Sequence, residues 1–177
     1  MPLFRQGKEL NLSDNNNSVI YLDTNVYVRP FDNQNQKKIR DETNAFLKIV
    51  DGIKDGRLIL LGSDILEFEV ENVLDTEKRN LIRDYLELCS EHCESSEDVL
   101  NLGKRLQSEC RVRARDALHI ASAILGGARY FLSCDGKVTR MKQARCYRRL
   151  ARAYRQEYFS VMNPTLFVEK MLKGELE

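Results

Sequence analysis

Four short apolar runs, at 19–22, 58–61, 130–132 and 159–162, constrain this chain more than any other feature. Each is nearly continuous rather than alternating, as expected of strands buried on both faces. Longer stretches with helical spacing separate them. Residues 36–52 repeat apolar positions at Ile39, Ala45, Phe46, Ile49 and Val50, and helical patterns follow at 64–74, 76–93, 96–110 and 116–125. Strands alternating with helices predict an α/β fold with a parallel sheet. Turn chemistry agrees. Asp55-Gly56 precedes the second run, Gly126-Gly127 closes the helix before the third, and Pro164 opens a last helix with Asn163 as its N-cap.

The chain has 177 residues, which suits one domain. "LSDNNNS" is polar and aperiodic, so residues 1–17 read as a flexible tail and 18–177 as the domain. No secretory apolar core opens the sequence. No apolar stretch reaches the ~18 residues of a membrane span. Cys89, Cys93, Cys110, Cys134 and Cys146 are odd in number and lack framework spacing, so they read as reduced thiols of a cytoplasmic protein. The net charge of +1 conceals a strong asymmetry: residues 41–100 hold 16 acids and 6 bases, and residues 101–160 hold 4 acids and 14 bases. That polarity implies either an anionic partner or mutual attraction of the two halves.

In parallel sheets, sites form at the carboxyl ends of the strands. Asp23 directly follows the first apolar run in "YLDTNV", and Asp135 follows the third in "YFLSCD". Either could also be a turn or cap residue. Asp116 opens an apolar helix in "RARDALHIASAIL", on the face carrying His119, Ile120 and Ala123, where an N-cap is the plain alternative. In "SDILEFEVENVL" helical spacing separates three glutamates. Glu69 has Ile65, Leu66 and Val73 as helical neighbours and lies on the buried stripe, whereas Glu67 and Glu71 share a polar face. A carboxylate pressed into an apolar face needs a compensating charge. Asp23, Glu69, Asp116 and Asp135 ionised in one crevice would need a cation. Oxygen donors select a hard ion, Mg²⁺ or Mn²⁺. Such clusters suit phosphodiester hydrolysis.

At these residues the sequence resembles the PIN-domain family. The resemblance is carried, in order from about residue 18 to 170, by "YLDTNVYVRPFD", "SDILEFEVENVL", "RDALHIASAI", "GARYFLSCD" and "VMNPTLFVEKM". It implies a three-layer α/β/α sandwich with a mostly parallel central sheet and a metal-dependent ribonuclease whose quartet is Asp23, Glu69, Asp116 and Asp135. By the same resemblance Asn25 and Ser133 are accessory positions, expected to hold waters or a phosphate oxygen. Asp23 and Asp116 are the expected direct metal ligands, with Glu69 and Asp135 acting through water. Many members are toxins of toxin–antitoxin pairs, so a small antitoxin protein and a homodimer are the implied partners, besides an RNA substrate. Relatives often carry a second acid after the Asp135 position, where this chain has Gly136; one metal is therefore the firmer expectation.

The segment 137–155 is strongly basic. Arg145, Arg148, Arg149, Arg152 and Arg155 form one helical face, with Arg140 before it, and Tyr147 and Tyr154 are interleaved and able to stack on bases. Met141, Ala144, Leu150 and Ala151 are expected to pack inward. The alternative is a solvated face paired with the acidic half. His119 reads as an oriented structural histidine, Cys89, His92 and Cys93 as an incomplete zinc pattern, and Asp32 as a turn residue. Other readings stay open: a phosphatase with Asp23 as nucleophile, disfavoured by Asn25 where a second acid is needed, and a PIN-like scaffold that binds RNA or protein without cutting.

Overall fold

The computed structural model describes residues 17–176. Five strands form one sheet: β1 (Ser18–Leu22), β2 (Leu58–Ser63), β3 (Glu91–Cys93), β4 (Tyr130–Leu132) and β5 (Ser160–Met162). Every pairing is parallel and the order is β3-β2-β1-β4-β5. The helices are α1 (Thr24–Val28), α2 (Lys37–Lys54), α3 (Asp64–Glu71), α4 (Thr76–Leu86), α5 (Glu97–Cys110), α6 (Ala114–Leu125), α7 (Met141–Ala153) and α8 (Pro164–Lys173). Helix α2 packs against α8, while α5 packs against α6 and α7, so the sheet is the middle layer of an α/β/α sandwich. The continuous apolar runs are explained by this placement. Ile20, Tyr21, Leu22, Phe131 and Leu132 of the two central strands are fully buried. Each such side chain contributes about 1.5–3 kcal/mol on leaving water.

The structure corrects several expectations. The segment 76–93 is not one helix: α4 ends at Leu86 and a fifth strand, β3, follows. "EHC" is short, polar and at the sheet edge with one neighbour, so it lacks the apolar run that marks the other strands. Helix α3 ends at Glu71, with Asn72 as its C-cap, before 74. Helix α6 begins at Ala114 with Arg113 at the N-cap, so Asp116 is in its first turn and is not the cap. Cys110 and Cys146 are joined in a disulfide and are not free thiols. Their 36-residue separation hides the pairing in the sequence, but α5 and α7 bring their Cα atoms to 5.6 Å, within the bridging range. Apart from Asn17, the expected tail at 1–17 lies outside the described residues.

Candidate functional site

Strand order reverses between β1 and β4, whose connections leave toward opposite edges of the sheet. In an open parallel sheet this switch point is where the carboxyl ends open a crevice. The two strands stay in register to their last residues, Leu22 opposite Leu132, and the Asp23 N–H donates to the Leu132 carbonyl at 2.9 Å. Asp23 and the Ser133–Asp135 turn therefore leave the sheet side by side. Asp23 occupies the N-cap position of α1, yet its side chain makes no capping bond. Its Oδ2 instead accepts from the Ser133 hydroxyl at 2.7 Å and the Asn25 amide at 2.9 Å. Asn25 Oδ1 accepts the Cys134 N–H at 2.9 Å. The polar atoms of Asn25 and Ser133 are thus committed to Asp23 and the turn beside it. Asp135 serves its turn with one oxygen, which accepts the Lys137 N–H at 2.8 Å.

Asp116 lies in the first turn of α6, within electrostatic reach of Asp23 and Asp135. No hydrogen bond or ion pair among the described residues engages its carboxylate. Burial, then the charges of Asp23 and Asp135, hold its pKa above the ordinary carboxylate value. Burial likewise raises Asp23, against the opposing pull of His119 and the Ser133 hydroxyl. Ionised carboxylates within electrostatic reach of one another repel unless a cation enters. Among the described residues, no three of the four expected acids bring ligand atoms within 4.8 Å of one another. The donor set, oxygen alone, fits a hard cation.

Glu69 is placed differently. It projects from the buried stripe of α3, as its helical spacing predicts, while Glu67 and Glu71 are exposed. Protein groups already compensate its charge. The Thr24 hydroxyl donates to Oε2, His119 Nε2 lies 2.9 Å from the same oxygen, and Arg115 Nε lies 2.6 Å from Oε1. Burial pushes this carboxyl up, but His119, Thr24 and Arg115 outweigh it and its pKa falls below the ordinary value. His119 is fully buried, and its Nδ1 is 2.7 Å from the Tyr21 hydroxyl, itself 2.7 Å from Ser63 Oγ. A continuous polar chain thus runs under the carboxyl ends of β1 and β2, and His119 is the oriented structural histidine expected. The sequence reading passed over Arg115 and Thr24 as partners of Glu69. The i, i+4 spacing of Arg115 and His119 on one face of α6 was the available signal.

A second cluster lies beyond the edge of this site. Asp64, Glu67 and His92 bring ligand atoms within 4.8 Å of one another. His92 Nε2 is 2.7 Å from Asp64 Oδ1, and the Ser95 N–H donates to Asp64 Oδ2 at 2.6 Å. These bonds clasp β3 to the start of α3.

Helix α7 follows Asp135 closely. Arg140, Arg145, Arg148, Arg149 and Arg152 are exposed. Arg149 pairs with Glu109 at 3.1 Å, and no ion pair among the described residues joins α7 to the acidic segment 41–100. Attraction between the two halves does not neutralise this face. Met141 is exposed rather than packed inward, whereas Leu150 and Ala151 are buried as expected. Tyr147 is fully buried, so it cannot stack on bases; its position one residue before Arg148 puts it on the inner face of the helix. Asp32 pairs with Arg29 at 2.8 Å, a local structural role.

The PIN domain family model matches residues 20–144, and the chain belongs to that family. Among solved structures, a chain of FitAB bound to an IR36 DNA fragment has a similar fold, with a TM-score of 0.50 and 20% identity, covering 82% of this chain and 95% of that one. No curated protein sequence matches the chain significantly.

Proposed function

We propose that the chain is a Mg²⁺- or Mn²⁺-dependent endoribonuclease whose quartet is Asp23, Glu69, Asp116 and Asp135. The observation that carries this reading is the delivery of Asp23 and the Ser133–Asp135 turn side by side at the switch point, in a member of the PIN family. Asp23 and Asp116 would hold the ion directly, and Asp135 through water. A bound ion of this kind supplies a water acidified enough to attack phosphorus and neutralises charge on the phosphate oxygens. Asn25 and Ser133 fix the orientation of Asp23. Glu69, with Thr24 and His119 on one oxygen and Arg115 on the other, would act through water rather than as a direct ligand. Arg140, Arg145, Arg148, Arg149 and Arg152 are positioned to bind the sugar–phosphate backbone beside the site. The expected products carry a 5′-phosphate and a 3′-hydroxyl.

The toxin role, a small antitoxin partner and a homodimer belong to the same proposal. Exposed Phe68 and Leu74, 71% and 96% accessible, support a protein partner, as does an adjoining groove of about 650 Å³ bounded by Glu69 and Arg115. No helix among the described residues is long and apolar enough to cross a membrane. The Cys110–Cys146 bond weighs against a cytoplasmic location. The engaged state of Glu69 favours, as the second reading, a PIN scaffold that binds RNA or protein without cutting.

Cleavage of single-stranded and structured RNA, with a DNA duplex alongside, tests both. The assay is run with Mg²⁺, Mn²⁺ or EDTA and with Asp116→Asn. Metal-dependent cleavage lost in the variant supports the nuclease. RNA binding without cleavage in any metal, unchanged in the variant, supports the scaffold and rejects the nuclease.

A further inference from the structure

The end of the sheet opposite the acids carries a basic pocket. Arg129 directly precedes β4 and Phe159 directly precedes β5, so both lie at the amino end, whereas Asp23 and Asp135 follow the carboxyl ends of β1 and β4. Helix α7 joins the two ends: its 13 residues span about 20 Å, from beyond the Asp135 turn back to this edge. Here Arg129, Arg148, Arg152, Glu157 and Tyr158 line a cavity of about 130 Å³. A groove of about 650 Å³ shares Arg152, Glu157 and Tyr158 with it and adds Arg155.

Four guanidiniums thus border one space with one carboxylate. No ion pair among the described residues joins Glu157, or any other acid, to them. The helix dipole explains only part of this. Arg152 and Arg155 lie at the C-terminus of α7, where cations are favoured, but Arg148 is a turn earlier and Arg129 comes from a different element. Arg148 Nε is turned to the Phe159 carbonyl at 3.4 Å. Arg129 is fixed by its backbone: its N–H donates to the Val19 carbonyl at 2.8 Å, and its carbonyl accepts the Ser160 N–H at 2.9 Å. Its guanidinium carbon lies over the Tyr158 ring, 4.9 Å from the centroid, yet its Nε is buried without a hydrogen-bond partner among the described residues. A buried charged donor left unpaired is costly, and a bound anion would satisfy it. A guanidinium over an aromatic face keeps its N–H fork available, and that fork matches phosphate oxygens. The Tyr158 ring is 60% exposed, which leaves surface for stacking on a base.

We propose that this pocket is a second, non-catalytic nucleotide site, in which the arginines take a phosphate group and Tyr158 stacks on the attached base. The nucleotide is either free or part of an RNA strand that follows α7 away from the acids. The assignment needs neither a metal ion nor cleavage, so it goes beyond the nuclease reading and stands or falls separately from it.

The test is isothermal titration of the full-length chain in EDTA with adenosine 5′-monophosphate, adenosine, inorganic phosphate and a single-stranded RNA oligomer. The proteins are wild type, Arg129→Gln, Arg155→Gln, Tyr158→Leu and Lys104→Gln. Wild type is expected to bind the monophosphate and not adenosine. Arg129→Gln and Arg155→Gln should each weaken the monophosphate about tenfold or more. Arg155 is exposed, so its variant decides the matter if Arg129→Gln lowers the melting temperature. Tyr158→Leu should weaken the monophosphate about fivefold or more and leave inorganic phosphate unchanged. Lys104, exposed on α5 and outside the pocket, controls for overall charge, and Lys104→Gln should bind as wild type does. Monophosphate that displaces the RNA, with both weakened in Arg129→Gln, identifies the strand as the source. RNA affinity untouched by Arg129→Gln, with the monophosphate weakened, identifies the free nucleotide. The site is overturned if wild type does not bind the monophosphate, if neither arginine replacement lowers its affinity, or if Lys104→Gln lowers it equally. Monophosphate bound no better than inorganic phosphate, and unaffected by Tyr158→Leu, overturns the nucleotide assignment.

Discussion

The raised pKa of Asp116 has a consequence for the metal-free protein. A carboxyl whose pKa is higher folded than unfolded adds stability below its unfolded pKa. That contribution is lost as pH rises through the folded value. At neutral pH the ionised Asp116 is therefore a liability, since it is half-buried beside Asp23 and Asp135. Asp116→Asn should raise the melting temperature of the EDTA-treated protein at pH 7, and the gain should vanish below the ordinary carboxylate range. A pH series of thermal melts on both proteins measures this, and an asparagine variant that is less stable at pH 7 refutes the repulsion. Saturating Mg²⁺ should stabilise the wild type and leave the variant almost unmoved. Glu69 obeys the opposite sign. Its pKa is lowered, so its contribution is present at neutral pH and lost as pH falls through the folded value. The chain beneath it is as consequential: Tyr21 bridges Ser63 and His119 in the core, and Tyr21→Phe leaves His119 Nδ1 without its partner while Ser63 Oγ keeps the Leu66 N–H. We expect a loss of about 1–3 kcal/mol, read by denaturant titration. Of these residues, the positions of Asp23 and Asp135 at strand ends and of Asp116 and Glu69 on helical faces were legible before the structure, while turn and cap roles stayed open for the aspartates and the quartet itself was what the resemblance to the PIN family implied. The partners of Glu69 were not, since they converge from two elements, α1 and α6, both far from α3 in the sequence.

At the scale of elements, α7 separates its two faces cleanly. Arg145 and Arg152 are exposed and no ion pair among the described residues engages them, so they can be changed with little effect on the fold. Replacing both with glutamine should weaken RNA binding at low salt and reduce the slope of log affinity against log salt by about one unit per lost phosphate contact. The melting temperature should stay within error. An unchanged salt slope would show that RNA lies elsewhere. Arg149 is a poorer probe, because its removal also breaks the pair with Glu109. The buried strands were readable because burial on both faces demands continuous apolar residues. β3 was not, because an exposed three-residue edge strand is selected by backbone pairing with β2 and places no such demand on its side chains. Tyr147 was misjudged for a related reason. A basic helix with interleaved tyrosines looks uniformly solvent-facing until the neighbouring layer is in place, and only then does one tyrosine turn inward.

The whole molecule carries its charge asymmetry without using it for internal pairing. The acidic segment 41–100 and the basic segment 101–160 meet chiefly through Glu69 with Arg115 and His119, and α7 stays unneutralised. What secures α7 is covalent. The Cys110–Cys146 bond closes a loop of 36 residues that contains α6, β4 and the Asp135 turn, and hence both Asp116 and Asp135. A cross-link of that span limits the unfolded chain and is worth roughly 3–4 kcal/mol on the chain-entropy model. For a chain of this size each kcal/mol shifts the melting temperature by about 2–4 °C. Reduction with a dithiol, or Cys110→Ser with Cys146→Ser, should therefore lower the melting temperature by about 6–16 °C. The local consequence follows from the position of the loop. The bond restrains the segments that present Asp116 and Asp135, so reduction should weaken Mn²⁺ binding even well below the melting temperature. Thiol counting under denaturing conditions establishes whether the bond is present before either comparison is made. Two free thiols more than the three expected from Cys89, Cys93 and Cys134 would remove the covalent clasp. In that case α7 is held by the packing of Tyr147, Leu150 and Ala151 with the Arg149–Glu109 pair, and dithiol treatment should change neither stability nor metal affinity.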